Sequence, residues 1–137
     1  MPVPDHARMK KLFRSCASLL LLLAAVTACS GRNDAELLAS PQAGDLYAGE
    51  LSHFAAFEHK GEAYGLMKVV AVTEGSVTVV TDSSAWPNRA GANNDLLGDQ
   101  SGVKWDAQNT VRIARAELPA LYEEDRIFGV RRPEAGQ

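Results

Sequence analysis

The chain is 137 residues long, with 14 basic and 17 acidic residues and a formal net charge of −3 at neutral pH. That length admits one small domain, and the acidic balance argues against nucleic acid or an anionic lipid surface as a partner. Only two cysteines, Cys16 and Cys29, are present, too few for a disulfide-stapled scaffold.

Near the start, Arg8, Lys10, Lys11 and Arg14 precede an almost unbroken apolar run from Ala17 to Val26. Positive residues followed by a short apolar stretch are the pattern of a secretory signal peptide. The run is about half of the ~20 residues that a helix needs to cross a hydrocarbon core, so a permanent transmembrane anchor is the weaker reading. Met9-Lys10-Lys11-Leu12-Phe13 reads like the opening of such a signal, which leaves both Met1 and Met9 as starts.

The run ends in Val26-Thr27-Ala28-Cys29. This resembles the lipobox of bacterial lipoproteins: a branched apolar residue, two small residues, then cysteine. The resemblance implies removal of residues 1–28, a diacylglycerol on the Cys29 thiol and a further acyl chain, such as palmitate, on its freed amine. Two buried chains already suffice for stable anchoring, at ~0.8 kcal/mol per buried CH₂. Ser30 is not the aspartate associated with inner-membrane retention, so the resemblance implies an outer membrane, with the domain facing the periplasm. An ordinary cleavable signal with a chance cysteine is the alternative; it leaves the small residues and their spacing unexplained. Cys16 fits worse, because Phe13-Arg14-Ser15 puts a charge where a small residue is needed.

Cleavage before Cys29 removes four basic residues and one acidic residue, leaving 10 basic against 16 acidic, a net of −6 over residues 29–137. No free thiol would remain, so thiolate metal sites and cysteine nucleophiles are excluded. The domain must then stand on its packed core.

Residues 29–43 read as an acylated tether, polar and proline-containing, in which Leu37-Leu38 could instead dock on the domain. Residues 44–133 form the globular part. Asp45–Leu51 is strand-like, and Ser52–Gly61 reads as a long irregular loop. Tyr64–Val72, rich in β-branched and apolar residues, has the composition of a central strand covered on both faces. Glu74-Gly75 turns the chain into Val77–Thr81, which completes a hairpin. Val69, Val70, Val72, Val77 and Val79 are the expected core, with Leu66 and Met67 beside them. Asp82–Gly102 reads as a second long loop, of a length usually tied to function. Val103–Asp106 and Thr110–Ala114 are short strands, Glu117–Asp125 is a helical turn, and Ile127–Val130 closes as the last strand. Residues 134–137 are a tail.

The expected fold is therefore mostly β, following an N-terminal signal helix and tether. Five or six short strands with one short helical turn before the last resemble a small SH3-like barrel over Gly44 to Pro133. The resemblance lies in element order and in no motif, so it implies no proline-peptide activity.

Candidate chemistry is sparse. His53 and His59, with Glu50, Glu58 and Glu62 nearby, could ligate zinc, but their spacing matches no compact motif. No metal and no cofactor is expected. Phe54, Phe57 and Trp86 are large aromatics in the two long loops, and recognition concentrates in loops, so these three are the expected binding residues around a shared groove. Trp105 reads as a cap on the core. Arg112, Arg115, Arg126, Arg131 and Arg132 could form a basic edge, or simply guard edge strands. No nucleophile, phosphate loop or paired acid and base emerges; Asp95 and Asp99 are a chance carboxylate pair.

The expectation is a non-enzymatic domain, anchored by its acyl chains to the envelope membrane, that binds a protein or cell-wall partner. A small periplasmic hydrolase or metal-dependent enzyme using His53 and His59 is one alternative. An inhibitor or immunity-type lipoprotein acting through the second loop is another.

Overall fold

A computed structural model describes residues 29–54 and 61–134. The signal segment, Val26-Thr27-Ala28, Phe57 and His59 lie outside the described residues. The chain separates into two compact units, Met1–Asn33 and Asp34–Gln137, and the second contains the β-sheet.

Leu46–Glu50 (β1), Tyr64–Val72 (β2), Ser76–Asp82 (β3), Trp105–Ala114 (β4) and Ile127–Arg131 (β5) form one antiparallel sheet in the order β4-β3-β2-β1-β5. The hairpin expected at Glu74-Gly75 is there, with the Thr73 amide donating to the Ser76 carbonyl at 2.8 Å. β2 is central, as its continuous apolar content predicts. Among the described residues the fold is mostly β with five strands, but the sheet is open, with β4 and β5 as its edges. Its two faces are covered by helices, so the sheet has no need to close over its own interior.

Among the described residues three helices accompany it: Cys29–Ala39 (α1), Arg89–Leu97 (α2) and Leu118–Glu123 (α3). Because side chains alternate across a strand, the sheet carries two cores. On one face Tyr47, Met67, Val69, Val77, Val79, Ile113 and Ile127 pack with Leu38 of α1 and with Leu118 and Leu121 of α3. On the other, Leu46, Ala48 and Leu66 pack with Ala92 and Leu96 of α2. The docking of Leu37-Leu38 foreseen as an alternative is realised: Leu38 is only 3% exposed and Leu37 packs partly against the same core. Within what read as tether, Cys29–Ala39 is a helix, fastened where the Tyr122 hydroxyl donates to Asp34 at 3.1 Å.

Several expectations need correcting. Val70 is 44% exposed rather than buried, because the β2–β3 register jumps from Val69↔Val79 to Ala71↔Thr78. Val70 is the extra residue of this bulge, left without a partner and turned outward. Val72, next to the turn, is only partly buried. The two short strands expected near the C-terminus are one, β4, whose register breaks between Val80↔Thr110 and Asp82↔Trp105.

The largest difference is α2, a helix where an irregular loop was expected. Asn88 caps it, its side-chain oxygen accepting from the Gly91 amide at 2.9 Å. Gly91, Asn93 and Asn94 are poor helix formers. Burial of Ala92 and Leu96, four residues apart on one face, outweighs that propensity.

Candidate functional site

Leu46 on β1 pairs with Lys68 on β2 and with Arg131 on β5. Residues directly opposite in adjacent strands project from the same face, so Lys68, Leu46 and Arg131 form a row across three strands. With strands ~4.8 Å apart, the two cationic positions stand about 10 Å apart over an apolar floor. α2 covers the same face and ends at Leu97, and beyond its end the row opens into a cleft of about 1020 Å³. Trp105, Gly98–Ser101, Gln42–Gly44 and Arg132–Glu134 complete its walls.

Each wall has a local cause. The Arg131 guanidinium donates to the Leu96 carbonyl at 2.9 Å and to the Gly98 carbonyl at 3.2 Å, satisfying orphan acceptors at the α2 C-terminus. The Gln100 side chain donates to the Asp95 carbonyl at 2.7 Å and fixes the turn that follows. Asp99 accepts from the Ser101 amide at 2.9 Å and hydroxyl at 2.8 Å; these bonds hold its carboxyl below the usual carboxylate range. On the far side, the Lys68 ammonium lies 5.6 Å from the centre of the Trp105 ring, a cation–π contact that positions both.

Arg132 lines the cleft but is already engaged. Its Nε donates to one oxygen of fully buried Asp45 at 2.7 Å, and its terminal nitrogen donates to the other at 2.9 Å. Lys68 and Arg131 have no carboxylate within ion-pair distance among the described residues. The cleft therefore has two uncompensated cations on its floor and two exposed acids, Asp99 and Glu134, at its rim.

The expected binding residues fall elsewhere. Phe54 is 6% exposed and belongs to the core on the α1 and α3 face, edge-on to the His53 ring. Trp86 is 44% exposed, but its indole N–H donates to Asp95 at 2.7 Å and its ring lies on Gly91 of α2. Its backbone also exchanges hydrogen bonds with Tyr64. Trp86 thus pins the start of α2, and it shares no exposed groove with Phe54. Phe57 lies outside the described residues.

The arginines do not form one basic edge. Arg112 is on β4 at one side of the sheet, while Arg126 pairs with Glu50 and Arg132 with Asp45 at the other. Arg115 donates to the Thr73 carbonyl at 3.1 Å. Asp95 is held by Trp86 and Asp99 by Ser101, so those two carboxylates do not act together. Burial pushes the Asp82 carboxyl up, its bond from the Ser84 amide opposes this, and the Asp95 charge adds to the rise. His53 is exposed, and no group of three potential metal ligands occurs among the described residues.

The cleft was missed because its components are scattered. Lys68 and Arg131 are 63 positions apart and meet only through the β2-β1-β5 pairing. A lysine in the otherwise apolar Tyr64–Val72 run was the available signal, since alternation must place it on a covered face. No protein-family model, curated protein or solved structure matches the chain.

Proposed function

We propose that the protein is a lipid-anchored envelope domain, held at an outer membrane facing the periplasm, that binds a protein or cell-wall partner without catalysing a reaction. The observation that carries the binding role is the cleft beside α2, where Lys68 and Trp105 oppose Arg131 across buried Leu46. Concave sites with an apolar floor and a few convergent polar groups are the usual form of a ligand site. The anchoring role rests on the Val26–Cys29 segment and the charged and apolar residues before it.

Position along the chain supports a membrane-proximal domain. Cys29 precedes Asp34, whose side chain is fastened to Tyr122, by five residues, and five residues span at most about 18 Å. The strand order, with a helical turn before the last strand, supports reading the fold as an opened relative of the SH3-like barrel.

A photo-crosslinking residue placed in cells tests the binding role. At Ser101, on the cleft rim, it captures the partner; at Glu123, on α3 beside the opposite face, it does not. Equal capture at both positions, or none at Ser101, removes the cleft from the function.

A further inference from the structure

Resting on that reading of the cleft, we infer that its ligand is the free carboxylate end of a short peptide. Lys68 and Arg131 receive the carboxylate, and Trp105 packs against the adjoining side chain.

The charges on the floor point to an anion. Lys68 has no carboxylate partner among the described residues, and its ammonium lies against the Trp105 ring. Arg131 spends one terminal nitrogen on the Leu96 and Gly98 carbonyls, which fixes the guanidinium while its other N–H groups make no hydrogen bond within the described protein. One cation is an ammonium resting on Trp105 and the other a guanidinium fork held by carbonyls, and neither has a carboxylate of its own among the described residues to give up for an incoming one.

The rim narrows the class. Glu134 is exposed, with no cation at ion-pair distance among the described residues, and it faces the same cleft. A zwitterionic ligand satisfies both signs, the carboxylate on the floor and an amine toward Glu134. An acidic sugar supplies only the anion. A nucleic acid requires a run of cations to offset its phosphates, whereas this cleft has two, with Arg132 neutralised by Asp45. The Ser101 hydroxyl gives its hydrogen to Asp99, and its oxygen, on the cleft lining, can still accept from an amide N–H of an extended peptide.

The test titrates the full chain, in detergent micelles, with the tripeptide Ala-Leu-Ala, its C-terminal amide and galacturonate. The readout is the NMR signal of the Trp105 indole N–H. The acid form is expected to shift that signal, with affinity falling about tenfold or more for the amide and for Lys68→Met. Equal binding of acid and amide overturns the inference, as does binding of galacturonate in preference to the tripeptide, or no shift with any probe. The comparison of acid with amide uses the unaltered protein, so it stands even where a variant folds poorly. Crosslinking at Ser101 without tripeptide binding would leave the cleft as the binding site and discard only the peptide carboxylate.

Discussion

Arg132, one residue beyond the last strand, reaches back to Asp45, one residue before the first, and grips both of its carboxylate oxygens at 2.7 and 2.9 Å. The same guanidinium donates to the Ser40 carbonyl at 2.8 Å, just past α1. One side chain thus ties the two ends of the sheet domain to the docked helix. Asp45 is fully buried, and the Gln42 amide is its other partner, at 2.9 Å.

Arg132→Met is therefore expected to be among the most destabilising single changes outside the apolar cores. It leaves a buried carboxylate without its counter-charge, at a cost on the order of 3 kcal/mol. Chemical denaturation should show this loss, and Arg132→Met combined with Asp45→Leu should recover part of it. A loss below about 1 kcal/mol for the single variant would show that the pair does not hold the domain together.

Tyr47 presents the opposite case. It is fully buried, and its hydroxyl has no hydrogen-bond partner among the described residues. Leaving such a group unpaired costs roughly 1–3 kcal/mol. Tyr47→Phe is expected to preserve or raise stability, by up to about 1 kcal/mol after allowing for the small void created. Burial pushes the Tyr47 hydroxyl above the usual tyrosine range; the Asp45 charge adds to this, while Arg132 and Arg115 oppose it. The folded state then keeps the proton when the unfolded chain begins to lose it, near pH 10. Stability from this residue is full below that pH and falls as the pH rises above it. Melting curves of Tyr47→Phe should show a shallower alkaline decline than the unaltered protein. An unchanged slope would contradict the assignment.

Gly91 sets helix propensity against packing. Alanine is better than glycine inside a helix by about 1 kcal/mol, yet a Cβ at Gly91 would run into the Trp86 ring. The ring is itself held by its bond to Asp95 and by the Tyr64 backbone. The collision should win: Gly91→Ala is expected to lower the melting temperature and to make Trp86 more accessible to a fluorescence quencher. A more stable variant with unchanged quenching would show that Trp86 gives way freely.

These cases also show how much of the protein could be read in its sequence. The Tyr64–Thr81 hairpin was legible because its apolar and β-branched residues and its Glu74-Gly75 turn all favour one structure. So was the helical turn at Leu118–Glu123, which follows from the spacing of Leu118 and Leu121. α2 was obscured by Gly91, Asn93 and Asn94, although Asn88 as cap and Gly98 as stop were both present. Val70 was misplaced because a bulge depends on how two strands align, which neither strand encodes alone. Phe54 was assigned to a loop surface because its neighbours show no period, yet the single turn Leu51–His53 folds it into the core. The cleft depends on a pairing across three strands, so no contiguous stretch announces it.

The most direct test of a lipid-anchored domain is intact mass spectrometry of the full-length protein, expressed in a bacterial host and extracted from the membrane fraction. The expected species begins at Cys29 and carries a diacylglycerol and an amide-linked acyl chain, and Cys29→Ala leaves the membrane fraction or keeps residues 1–28. A membrane-extracted protein that retains residues 1–28, or that begins at an unmodified Cys29, would contradict lipid anchoring.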